Sequence, residues 1–252
     1  MWKCCAGSVE DCIVANACGA NRIELNSGLY LGGLTPSVGM LISAKKYTTL
    51  PIITMVRPRG GGFFYSVIEF ETMVLDAERL IQSGSDGLVF GFLNEDASVN
   101  KERTQQFVAM CKSAGIESVF HRAFDCVNDP VQAIEDLIAC GVDRVLTSGL
   151  QAQAGAGTDL LADLNAKYSG KIEFCVGAGV NEHNALEIVD KTGITQLHSS
   201  FKTWYLDPTT QNDTVSYAYS DLGAFEGVSE EKLKVFIKTI QRSNDSRVIP
   251  RH

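Results

Sequence analysis

What this 252-residue sequence lacks narrows its identity first. No stretch approaches the about 18 consecutive apolar residues of a membrane helix, so no membrane partner is expected. The opening "MWKCCAGSVEDC" has no charged start followed by an apolar run, and a cytoplasmic location is the expectation. Basic residues are the minority: 22 Lys and Arg against 30 Asp and Glu give a net charge of −8 and no basic stripe, which excludes a nucleic-acid scaffold. The eight cysteines include no CxxC pair and read as reduced thiols, several of them small core residues on helix faces. No glycine-rich dinucleotide turn follows the first apolar run, since "CAGSVED" is not one, and this counts against a doubly wound sheet. No linker or low-complexity tract divides the chain, so residues 1–252 read as a single domain.

What is present is a repeat. "GANRIEL" at Gly19, "GSDGLVFG" at Gly84, "GIESVFHR" at Gly115, "GVDRVLTSG" at Gly141 and "GITQLHSS" at Gly193 each set a glycine before a short Val, Ile, Leu or Phe run. A helical pattern precedes each, such as "SVEDCIVANAC" and "DPVQAIEDLIAC". A helix closed by glycine and followed at once by a buried strand is half of a βαβ unit. Further strands fit Trp2–Cys5, 52–56 and 172–176, making eight in alternation with helices. The expected fold is therefore an α/β TIM (β/α)8 barrel. Ser8, Thr35-Pro36 and Asp129-Pro130 read as helix starts. The segment 201–252 exceeds one closing helix and reads as a long loop followed by the C-terminal helix "SEEKLKVFIKTIQ".

In such a barrel the carboxyl ends of all eight strands meet at one mouth, where chemistry sits. The residues following the apolar runs are Cys5, Glu24 and Asn26, Arg57 and Arg59, Gly91, His121 with Arg122 and Asp125, Thr147 and Ser148, Gly177–Gly179, and His198 with Ser199 and Ser200. Glu24, His121, Asp125 and His198 are the candidate acid–base residues. Arg57, Arg59, Arg122, Thr147, Ser148, Gly177, Gly179, Ser199 and Ser200 are the candidates for holding a small-molecule anion, with the turns after strands seven and eight in the usual barrel position for one. Structural roles stand beside these. Glu24 and Arg57 can pair across neighbouring strands, strand alternation turns Arg122 outward to a surface salt bridge, Asp125 can cap a turn, and His198 can be a core imidazole. His183 reads as solvated.

The runs "NRIELNSGLYLGGLTPSVG", "VRPRGGGFFYS", "FHRAFD", "RVLTSG", "GAGVNEHN" and "LHSS" resemble, in order, the motifs of the CutC family, over about residues 2–200. The resemblance implies a TIM barrel, a cytoplasmic setting and a role in copper homeostasis, with copper(I) as a candidate cofactor. It implies Cys5 as a Cu(I) ligand and places the second family cysteine at position 26, where this chain has Asn26. Gly62 stands where the family pattern has an aspartate. A soft Cu(I) ion prefers thiolate or thioether, so Asn26 weakens that role. Two readings stand side by side: a copper-binding homeostasis protein, and a TIM-barrel enzyme acting on a small phosphate- or carboxylate-bearing substrate. Homo-oligomerisation is left open.

Overall fold

A computed structural model describes residues 1–248. Eight strands close a barrel in chain order, every neighbouring pair parallel: β1 Trp2–Ala6, β2 Arg22–Leu25, β3 Ile52–Met55, β4 Gly87–Phe90, β5 Glu117–Phe120, β6 Arg144–Thr147, β7 Glu173–Val176 and β8 Leu197–Ser199. Helices α1 Val9–Cys18, α2 Val38–Tyr47, α3 Val67–Gln82, α4 Lys101–Ala114, α5 Pro130–Cys140, α6 Thr158–Tyr168 and α7 Ala185–Thr192 return the chain between them. This is the TIM (β/α)8 barrel that the glycine-punctuated repeat predicts.

The local signals act largely where expected. Ser8 accepts a hydrogen bond from Asp11 N and caps α1, and Asp129 caps α5 with Pro130 in its first turn. Thr35-Pro36 does not open α2, whose cap is Ser37. Thr35 instead exchanges hydrogen bonds with the backbone of Arg57, tying the loop after β2 to the end of β3.

The strand register sorts the interior. Cys5 pairs with Glu24, Glu24 with Ile53, Met55 with Val89, and Lys3 with both Arg22 and His198. Because strand residues alternate faces, these side chains point into the barrel, whereas Cys4, level with Ile23 and Ser199, packs in the apolar layer under the helices. Ile53, Met55, Val89 and Val119 form a small apolar plug within the barrel. At the amino-terminal end an alternating ion network, Arg22–Glu117–Arg144–Glu173, fills the interior. The carboxyl-terminal end is left to the polar residues.

After β8 the chain makes an excursion that the sequence reading treats as loop alone. Two strands, β9 Lys202–Tyr205 and β10 Phe225–Val228, pair antiparallel within it before helix α8 Glu230–Val248. Val228 N donates to Asp11 of α1 at 2.7 Å, and Tyr219 stacks on Tyr30 of the loop after β2, so the excursion is fastened beside the mouth. The final four positions of the expected C-terminal segment, 249–252, lie outside the described residues. Among the described residues all eight cysteines are free thiols, and no helix is long and apolar enough to cross a membrane.

Candidate functional site

The mouth holds two adjoining cavities that share Cys5, Gly32, Arg122 and His198. The inner one, about 430 Å³, is lined by Glu24, Asn26, Met55, Arg57, Phe63, His121 and Asp125, among others. The outer one, about 570 Å³, lies over the ends of β7 and β8 and takes Lys202 and Glu226 from the C-terminal excursion and Lys232 from α8.

Glu24 projects inward from β2 with 2% exposure, and Lys3 from β1 donates to its Oε2 at 2.5 Å. Burial alone raises a carboxyl pKa; the neighbouring Lys3 and His198 and hydrogen bonds from Lys3 and Asn26 outweigh it and hold Glu24 at about 2. The structural alternative, a Glu24–Arg57 pair, is not found among the described residues; Lys3 occupies the carboxylate. Lys3 escapes the sequence reading, although the period of two that sets Cys4 apart from Cys5 also puts Lys3 on Cys5's side of the strand.

His121 ends β5 and caps the short 3-10 turn Arg122–Cys126, whose Ala123 N donates to its Nδ1 at 3.1 Å. With Nδ1 accepting, the neutral ring carries its proton on Nε2. That Nε2 has no partner among the described residues, and the ring lines the inner cavity with its centroid 4.9 Å from that of Phe63. Burial, then the Arg57 charge, push the imidazole down to about 3, against the opposing pull of Glu24. His121 is thus held neutral, with its Nε2–H lining the inner cavity. A Cβ on Gly91, at the end of β4, would overlap its ring, which explains a glycine there.

His198, on β8, is 12% exposed, and its unpartnered Nδ1 lies 3.9 Å from Glu24 Oε2. Burial lowers it to about 4 despite the Glu24 charge. Gly177 serves this residue: a Cβ there would come within 3.3 Å of His198 and 2.8 Å of Leu146. Its N–H is taken by Thr147 O, so Gly177 offers space rather than an anion contact.

The cationic and hydroxyl candidates separate. Arg57 is 5% exposed and spends Nη1 on the carbonyls of Leu31 and Gly33 and Nη2 on that of Gly61. Among the described residues it has no ion-pair partner, and its buried Nε has no hydrogen-bond partner. Arg59 turns out of the mouth to Glu69, the capping-box residue of α3, and lines neither cavity. Arg122 does not continue the strand, so its expected outward position is corrected: the chain turns at His121, and Arg122 reaches over the mouth to Asp125 at 2.7 Å and Ser148 Oγ at 2.9 Å.

Asp125 accepts from Arg122 Nε, Thr147 Oγ1, Ser148 N, Ser148 Oγ and Leu150 N. With both oxygens engaged it fastens the turn after β6, the structural alternative, and Thr147 and Ser148 are consumed with it. Ser199 Oγ donates to Val180 O, while Gly179 and Ser200 line the outer cavity. His183 is exposed, as expected.

One sulfur, one oxygen and one nitrogen donor converge. Cys5 Sγ, a Glu24 carboxylate oxygen and a His198 ring nitrogen lie within 4.8 Å of one another. Asn26 Nδ2 donates to Cys5 Sγ at 3.4 Å and to Glu24 O at 3.1 Å, which explains an amide at that position. Burial, then the Glu24 charge, raises the metal-free Cys5 thiol well above its usual pKa.

Comparison with known proteins agrees on one family. The family model described as the CutC family matches residues 1–203. A Treponema denticola protein named family protein CutC is 46% identical over 214 residues, covering 84% of this chain and 86% of the relative. The human protein named copper homeostasis protein cutC homolog is 39% identical over 237 residues, covering 93% and 84%. In structure, the CutC protein of Streptococcus agalactiae superposes with a TM-score of 0.75 at 30% identity, covering 79% of this chain and 98% of its own. Phosphoribosylanthranilate isomerase from Pyrococcus furiosus, at 12% identity and a TM-score of 0.54 over 96% and 98% of the two chains, shares the fold alone.

Proposed function

The chain belongs to the CutC family, and from that premise we propose that its inner cavity binds a small oxyanion or carbonyl compound and moves a proton on it, rather than carrying Cu(I). The observation behind this reading is the His121 Nε2–H, buried and without a protein partner in the same cavity as Arg57, a buried cation with no ion-pair partner among the described residues. A neutral imidazole N–H under a fixed positive charge suits an oxygen on which negative charge develops. His198, neutral near pH 7 and 3.9 Å from the Glu24 carboxylate, is the base of this reading, and Glu24 stabilises its protonated form. Lys3 holds the carboxylate in place. Phosphate-bearing or carboxylate-bearing molecules are the substrate class.

Copper homeostasis, the role printed in the human relative's name, requires donors that suit Cu(I). The residues fit it poorly. Position 26 supplies an amide, Cys4 faces the opposite side of β1, and the cluster around Cys5 adds a carboxylate and an imidazole rather than a second thiolate.

Thermal unfolding tests the small-molecule reading, because a ligand that binds only the folded state raises the melting temperature with its concentration. Phosphate and pyruvate are expected to raise it beyond chloride at matched ionic strength, with His121→Phe removing the excess. If both act as chloride does, or the excess survives His121→Phe, the reading fails.

A further inference from the structure

The mismatch with Cu(I) leaves Cys5, Glu24 and His198 unexplained as a group, and their chemistry favours a different ion. A thiolate, a carboxylate and an imidazole together suit a borderline divalent cation. We propose that these three residues form a site for a Zn2+-type divalent ion, with a fourth coordination position open to the inner cavity. This is independent of anion binding by His121 and Arg57; with the ion bound, His198 serves as a ligand and not as the base.

Geometry supports the assignment at three levels. The donor atoms already stand within 4.8 Å of one another; donors around one tetrahedral zinc stand roughly 3.5 Å apart, so closure needs about an ångström of side-chain movement. His198 Nδ1 is buried with no protein partner and stands 3.9 Å from Glu24 Oε2, the oxygen that Lys3 also approaches, while Glu24 Oε1 takes only a long 3.5 Å contact from Asn26. The donors are also held by outer partners of the kind metal ligands have: Lys3 fixes Glu24, and Asn26 links the Cys5 sulfur to the Glu24 backbone. On this assignment Asn26 is a hydrogen-bond donor to the sulfur rather than a missing ligand.

Charge is consistent with the ion. Cys5 as thiolate and Glu24 as carboxylate bring −2, Lys3 returns +1, and a divalent cation leaves the cluster at +1. All three ligands line the inner cavity, so the open position faces the space that His121 and Arg57 also line. Three protein ligands with one open position is the arrangement of a catalytic rather than a structural zinc.

Co2+ serves as the probe because a cobalt–thiolate bond gives a near-ultraviolet charge-transfer band. Titration of the whole, chelator-stripped chain is expected to reach one Co2+ per chain with that band, and Zn2+ is expected to displace it. Cys5→Ser, close to isosteric, removes the band. His198→Ala lowers affinity at least about tenfold, and Asn26→Ala shifts the band and lowers affinity about tenfold or more. Cys126→Ser, which removes an exposed thiol at the cavity edge, leaves the spectrum unchanged. The melting temperature of each variant without metal separates a lost ligand from a lost fold. A titration without a thiolate band, a band that survives Cys5→Ser, or a band lost with Cys126→Ser overturns the proposal. His121→Phe leaves the cobalt spectrum intact, so failure of the small-molecule reading and failure of the metal site give different results.

Discussion

Lys3 Nζ stands 2.5 Å from Glu24 Oε2, and both side chains are 98% hidden from solvent. A buried ion pair adds little over an apolar pair of the same shape, but removing one partner strands the other charge in a medium that solvates it poorly. The relationship therefore acts on position and charge state more than on net stability.

Lys3→Met is accordingly expected to destabilise the fold by about 3–5 kcal/mol in urea unfolding, because Glu24 is left unpaired. Lys3→Met with Glu24→Gln should recover a good part of that loss. If the double variant is no more stable than Lys3→Met, the pair is not the coupled unit described here.

Acid should weaken the protein through His121. Its folded pKa, about 3, lies below the unfolded value of 6.5, so between these values the unfolded chain binds the extra proton. Its contribution is complete above pH 6.5 and is lost as pH falls toward 3. The groups acting on it are Arg57, which disfavours the proton, and Glu24, which favours it. For metal-free protein, stability is expected to drop by about 2 kcal/mol between pH 7 and 5 from this residue. Urea unfolding at the two pH values should show His121→Gln losing less than the parent by about that amount; equal losses would refute the assignment.

Arg57 and Arg59 sit two positions apart and should behave differently. Arg57 joins three loop carbonyls beneath the surface, whereas Arg59 makes a partly exposed pair with Glu69. Arg57→Met is expected to cost about 2–4 kcal/mol by leaving buried carbonyls unpaired, and Arg59→Met about 1 kcal/mol or less. Comparable losses in thermal unfolding would show that the two arginines share a role.

Asn26→Cys places a thiol within reach of the Cys5 sulfur, where the amide nitrogen now stands 3.4 Å away. Cu(I) affinity, read by competition with a chromogenic chelator, should rise at least about tenfold over the parent, since paired thiolates suit the soft ion. Tight stoichiometric Cu(I) binding by the parent, abolished by Cys5→Ser, would falsify the poor fit described above.

The barrel was legible because its cause is local and repeated. Each of the five helix-stop glycines followed by an apolar run reports the same αβ junction, and parallel pairing of those five strands with three further ones leaves one closed solution with every strand end at one mouth. That topology brings Glu24, His121 and His198 to a common cavity from positions 77 to 174 residues apart. The role of each residue there was not legible, because it depends on which neighbour reaches it first. Asp125 became a fastener because the turn after β6 delivers four donors to it beside Arg122. Arg59 left the mouth because the cap of α3 placed Glu69 beside it. His121 became a donor because a single backbone N–H, Ala123's, took its other nitrogen. Strand period and glycine spacing are properties of the chain and can be read from it. Hydrogen-bond competition inside a closed barrel is settled by distances across strands, and those exist only once the chain has folded.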